Sequence, residues 1–222
     1  MSSKREVRHE NENPPPFFST FAFTIALSIE TRSQTLVTFD DLPVVGGSIP
    51  NGYQGLVWSN FWYENAILGA NELGTNGYYY GMVSASNVAF NANGNPAEIE
   101  SATNFDFFST YLTGAWNSNL NIEVEGFSGN NLLYSQTVVA SATNATLFTF
   151  NYMDIDRLYF DSYGGQDAGF PGGGGEHFVM DNFLFEFIPE PSTLLLVGLG
   201  VVPLCAFVRC RRRDDSDPLS SS

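Results

Sequence analysis

Between Gln34 and Pro191 the chain has no cysteine and no lysine, only one histidine (His177) and only one basic side chain, Arg157. Each absence excludes something. Without cysteine there is no disulfide framework and no thiolate metal site in the body. Cys205 and Cys210, the chain's two cysteines, lie toward the far end. One histidine is a poor start for zinc, which needs several nitrogen or sulfur ligands. No G-x-S-x-G elbow occurs, so a serine hydrolase lacks its signature. The glycine run at 172–175 is followed by no lysine, so it is a loop and not a phosphate cradle. With a single cation in the body, a nucleic-acid partner is excluded, because phosphate backbones need a basic surface.

What is present is acid, aromatic and small polar. Seventeen Asp and Glu lie between Gln34 and Pro191 against Arg157 alone, which leaves the body near −16. Charged residues are 15% of the 222-residue chain, against about 25% in average soluble domains. Aromatics reach 15%. The remaining basic residues sit at the two ends, four before residue 34 and four after residue 208.

Residues 17–29, FFSTFAFTIALSI, form an apolar run with basic residues before it and small residues after it. Its length suits an export-signal core of ~7–15 residues rather than a span of ~20. The alternative is a buried strand or helix of the fold. Residues 1–33 are therefore expected to be an export signal.

Residues 34–187 read as one domain. LNIEVEGF alternates cleanly, with Leu120, Ile122 and Val124 on one face and Asn121, Glu123 and Glu125 on the other. LVTF (36–39), LFTFNY (147–152), RLYFDS (157–162) and HFVMDNFLFEF (177–187) have strand character, separated by Gly- and Asn-rich turns. No sustained helical period appears before residue 192. The expectation is an all-β fold, a two-sheet antiparallel β-sandwich of jelly-roll type.

Two constellations offer chemistry. In a jelly roll the first and last strands often lie side by side, which would bring Asp40 and Asp41 near Asp181. Hard calcium ions take 6–8 oxygen ligands, so these acids with Glu176 or Asn182 are a candidate calcium site. The alternative is that they bond backbone amides or cap turns. The second constellation is aromatic: Trp58, Trp62, Tyr63 and Trp116 are candidates for stacking on sugar rings, with core packing as the alternative. Paired acids could also run a glycosidase, with Glu64, Glu72, Glu98, Glu100 and Asp106 available.

After the body, Pro189-Glu190-Pro191 precedes an apolar stretch ending in Arg209, Arg211, Arg212 and Arg213. The stretch is at the lower limit for a transmembrane helix, and the arginines would orient it toward the cytoplasm. Residues 188–213 resemble the PEP-CTERM sorting signal of exported bacterial proteins, and 214–222 form a polar tail. The resemblance implies Sec export, recognition of the Pro-Glu-Pro region by an exosortase, a passing stay in the membrane through the C-terminal helix, and release to the cell surface or an extracellular polysaccharide matrix. A plain C-terminal membrane anchor is the alternative. The body resembles carbohydrate-binding-module-like and galactose-binding-like sandwiches, which implies glycan or exopolysaccharide binding and a structural calcium. Rival readings are a glycosidase and a purely structural matrix component.

Overall fold

The computed structural model describes residues 33–189. The export-signal segment before residue 33 and the sorting segment from Glu190 onward, with its expected transmembrane helix, lie outside the described residues. Among those described, no helix is long and apolar enough to cross a membrane.

The strands, in chain order, are β1 (Thr35–Val37), β2 (Gly47–Ser48), β3 (Val57–Ser59), β4 (Phe61–Asn65), β5 (Asn87–Asn91), β6 (Ala97–Gly114) and β7 (Asn117–Ser118). They continue with β8 (Leu120–Ser128), β9 (Asn131–Ala140), β10 (Thr146–Tyr163), β11 (Gln166–Asp167) and β12 (Phe178–Phe187). Every pairing is antiparallel, and β7 and β11 form a separate small ribbon. The hydrogen-bonded order β2-β4-β5-β12-β6-β10-β8-β9 is continuous, with β1 on β12 and β3 on β6.

The sandwich arises because β6 and β10 are long and bent. The first part of β10, Thr146–Ile155, pairs with the Phe105–Leu112 part of β6. The second part, from Arg157, pairs with the start of β6 and with β8. Between them the register slips three times, and Asn151 and Asp154 have positive φ. Asn and Asp tolerate that left-handed geometry better than other residues, so the bulges fall there. LFTFNY and RLYFDS, which look like separate strands in sequence, are therefore two limbs of one strand.

The two layers enclose an aromatic core. Phe61 of β4 packs on Phe160 of β10, and Trp58 of β3 on Phe183 of β12, at 5.7 and 5.9 Å between ring centroids. Neither pair is joined by a strand ladder, so these contacts cross the layers. The expected pairing of first and last strands is present, with Val37 opposite Phe183. β1 ends before LVTF does: Phe39 turns with φ 63° and drops its fully buried ring against Trp58.

Two α-helices depart from the all-strand expectation for the body. α1 (Ala66–Leu73) starts at Asn65, whose side chain accepts from Leu68 N–H. α2 (Gly77–Gly81) starts at Asn76, which accepts from Tyr78 and Tyr79 N–H. Both are too short to show a helical period, and only their Asn caps mark them. Gly77 allows α2 to lie on the sheet, since a Cβ there would stand 1.9 Å from the Gly114 carbonyl oxygen.

Candidate functional site

The four acids considered for calcium accept from backbone and side-chain donors. Asp181 is fully buried at the β12 bulge. It accepts from Val83 N–H at 2.7 Å, Ser84 N–H at 2.8 Å, Asn182 N–H at 2.7 Å and the Ser84 hydroxyl at 3.0 Å. Burial pushes its carboxyl up to about 6, and these donors pull it back toward the charged form. Asp40 accepts from Asn87 N–H at 2.9 Å. Both acids thus pin the 83–87 segment between α2 and β5. Asp41 accepts from the Tyr53 hydroxyl at 2.5 Å, and Glu176 from Gly164 N–H at 2.5 Å. Among the described residues no three metal-binding side chains converge.

The four aromatics also separate. Trp58 is 4% exposed, Tyr63 6% and Trp116 7%, so none presents a face to a ligand. The Trp58 indole N–H donates to Tyr53 O, and the Tyr63 hydroxyl to Val45 O. Trp116 joins Tyr78, Val88 and Val179 in a small second core beneath the helices. Gly173 closes over its ring, where a Cβ would come within 2.3 Å. Trp62 alone stands out at 46% exposure, beside Phe90 and Ser48 on the neighbouring strands.

A titratable group borders that second core. The Tyr78 hydroxyl lies 3.0 Å from His177 Nδ1, and burial lowers the histidine's pKa. Burial pushes the Glu64 carboxyl up to about 7. Its negative charge in turn raises Tyr78, after burial itself. These groups are held by packing and lie away from the groove described next.

That groove, of about 420 Å³, opens where β3 begins, β6 and β10 bend, and β8 turns into β9. Its lining includes Val57, Glu100, Ser101, Asn130, Asp156 and Arg157. The strand register explains the grouping, because Arg157 lies opposite both Glu100 of β6 and Phe127 of β8. Its guanidinium bonds Glu98 at 3.3 Å and sits 3.9 Å above the Phe127 ring. Asp156 accepts from Gly129 N–H at 2.7 Å, which fixes the β8–β9 turn against the groove. A held guanidinium, a held carboxylate and apolar surface thus meet in one concavity.

The outward sheet face continues from the groove. Tyr159 stands between Glu125 on β8 and Glu98 on β6, with Asp161 opposite Glu123 in the next outward row. Burial raises the Tyr159 pKa, and the charges of Asp161, Glu125, Glu98 and Glu123 add to it. Glu125 is raised by burial and by Glu123, against the pull of Arg157. Sequence reasoning missed this site. The available signal was the lone cation itself: a single Arg among seventeen acids has many possible partners, and its position marks where they gather.

Three comparisons bear on the chain. The PEP-CTERM protein-sorting motif matches residues 187–213. It implies export, exosortase processing and association with the cell surface. No curated protein matches. Among solved structures, a DUF4465 family protein from Bacteroides ovatus is similar at 11% identity and a TM-score of 0.39, covering 71% of this chain and 94% of its own. TmCBM61 in complex with β-1,4-galactotriose is similar at 11% identity and a TM-score of 0.34, covering 64% of this chain and 95% of its own. Likeness at that level assigns no ligand.

Proposed function

We propose that this chain, which carries a PEP-CTERM sorting motif, is an exported surface or matrix protein whose sandwich binds a glycan in the Arg157 groove without transforming it. The observation that carries this reading is the groove itself. Sugar hydroxyls need donors and acceptors held at fixed positions beside an apolar patch. Arg157, Asn130 and Ser101 supply donors, Glu100 and Asp156 supply acceptors, and Val57 supplies apolar surface. The guanidinium is held by Glu98 and Phe127, so little side-chain freedom is lost on binding. The acidic face around the groove favours a neutral polysaccharide over an anionic one.

The tail supplies location. In this reading an apolar segment after Pro191 holds the protein at the membrane until exosortase processing passes it outward. The chain then works among extracellular polymers, where a binding module has its ligand at hand.

Affinity electrophoresis of the exported protein against neutral and anionic polysaccharides is the test. Retardation by a neutral polymer, lost in Arg157→Ala and kept in Trp62→Ala, supports the reading. Retardation lost in Trp62→Ala and kept in Arg157→Ala moves the site to β4. Release of reducing sugar, lost in Glu100→Gln, replaces binding with glycoside hydrolysis, since Glu100 and Asp156 share the groove.

A further inference from the structure

Residues 126–153 contain no Asp, Glu, Lys, Arg or His, in a body where acids are otherwise spread throughout. The structure places this stretch along one side of the sandwich. Among the described residues β9 bonds to β8 alone, so its other edge is open. The first limb of β10 bonds to β6 alone, so its outer edge is open too. Tyr134 of β9 stacks on Tyr152 of β10 at 4.7 Å and closes the core between the two edges. Five large apolar side chains stand exposed on the same stretch: Leu132, Leu133, Val139, Leu147 and Met153.

Natural sheets blunt an open edge with lysine, proline, a short strand or an inward charge. β9 has none of these. It runs ten residues, Asn131–Ala140, without a charge, a proline or a glycine. Its one slip in register is at Leu133, near the start of the strand, and Tyr134–Ala140 keeps an unbroken register with β8. At the opposite end of the ladder, β2 is only two residues long.

We infer that β9 is a self-association edge, which pairs antiparallel with β9 of a second copy and extends the β6-β10-β8-β9 layer across a two-fold axis. An antiparallel strand edge is self-complementary about such an axis, so one surface serves both partners. Charge selects the occupant. Two copies meeting on the Tyr159 face would press carboxylates together, whereas the neutral side is where like-charged bodies repel least. A cationic partner would be drawn to the acids and away from this edge. The inference is independent of the glycan groove.

Cross-linking tests it in the full-length protein, with Cys205 and Cys210 replaced by serine. Gln136→Cys puts a thiol at the middle of β9, and Val45→Cys puts a control thiol on a distant exposed loop. With a short bis-maleimide, Gln136→Cys gives a band of twice the chain mass and Val45→Cys does not. Adding Leu133→Lys and Val139→Lys, both at exposed positions, removes that band and leaves the melting temperature unchanged. If the lysines lower melting, Thr137→Lys takes their place. No dimer from Gln136→Cys, equal dimer from Val45→Cys, a dimer that survives the lysines, or a band of another mass overturns the inference.

Discussion

Both limbs of strand β10 send side chains into one core, although the bulges between them break the alternation, and the two limbs meet different surroundings. Phe150, Tyr152, Ile155, Leu158 and Phe160 all face the core. In the first limb the exposed positions Leu147, Thr149, Asn151 and Met153 are neutral, and Asp154, at a bulge, carries its one charge. In the second they include Asp156, Arg157, Tyr159 and Asp161, flanked by acids on β6 and β8. The core does not distinguish the limbs, and the surface does. One strand can therefore carry two different surfaces, because outward residues are chosen almost independently of inward ones.

The strongest way to break this arrangement is at the ring both limbs share. Phe107 of β6 is fully buried and stacks on Phe150 at 5.0 Å, and its ring lies 6.5 Å from Phe160. Phe107→Ala should cost about 3–5 kcal/mol in a denaturant titration and loosen both limbs together. A loss confined to one limb in amide hydrogen exchange would show that the limbs are separate cores.

Glu64 tests what an acid costs when it is not on the open face. With its folded carboxyl at about 7, above the ordinary 4.5, the native state binds this proton more tightly than the unfolded chain. Its contribution is full below about pH 4.5 and is lost as pH rises through about 7. Glu64→Gln should therefore stabilise by about 2 kcal/mol near pH 8 and by almost nothing near pH 4. His177, lowered by burial, pulls the other way in both proteins and cancels in the difference. Thermal melts at the two pH values decide it.

Arg157→Ala sharpens the contrast between limbs. Glycan affinity should fall at least about tenfold, about 1.4 kcal/mol, while dimer cross-linking at β9 is unchanged. The lysine pair on β9 should do the reverse. The smallest effect expected is that of calcium. Asp40 and Asp181 have backbone N–H partners, so melting in calcium and in chelator should coincide; a rise of several degrees in calcium would restore an ion to the fold.

Much of the layout was legible in the residues. Alternation in LNIEVEGF gives β8 as observed, and the HFVMDNFLFEF run gives β12, because a half-buried strand must alternate and a doubly covered one need not. The Pro-Glu-Pro and arginine pattern marked the sorting motif that matches at 187–213. The helices were hidden because capping, not periodicity, defines them. The aromatics could not be sorted because alternation tells that neighbours face apart, not which face is wet. Trp58 and Tyr63 went inward and Trp62 outward on that rule. The groove was hidden because it is built from four bends distant in sequence, and no local pattern encodes their meeting.

Arg157 is also the one place in residues 34–191 where a protease that cuts after basic side chains could act. It lies inside an 18-residue strand, hydrogen-bonded on both sides, with its side chain clamped to Glu98 and Phe127. Cleavage there requires the strand to leave the sheet, which couples digestion to unfolding. Outside the cell, where trypsin-like enzymes are a common hazard, this body would persist about as long as it stays folded.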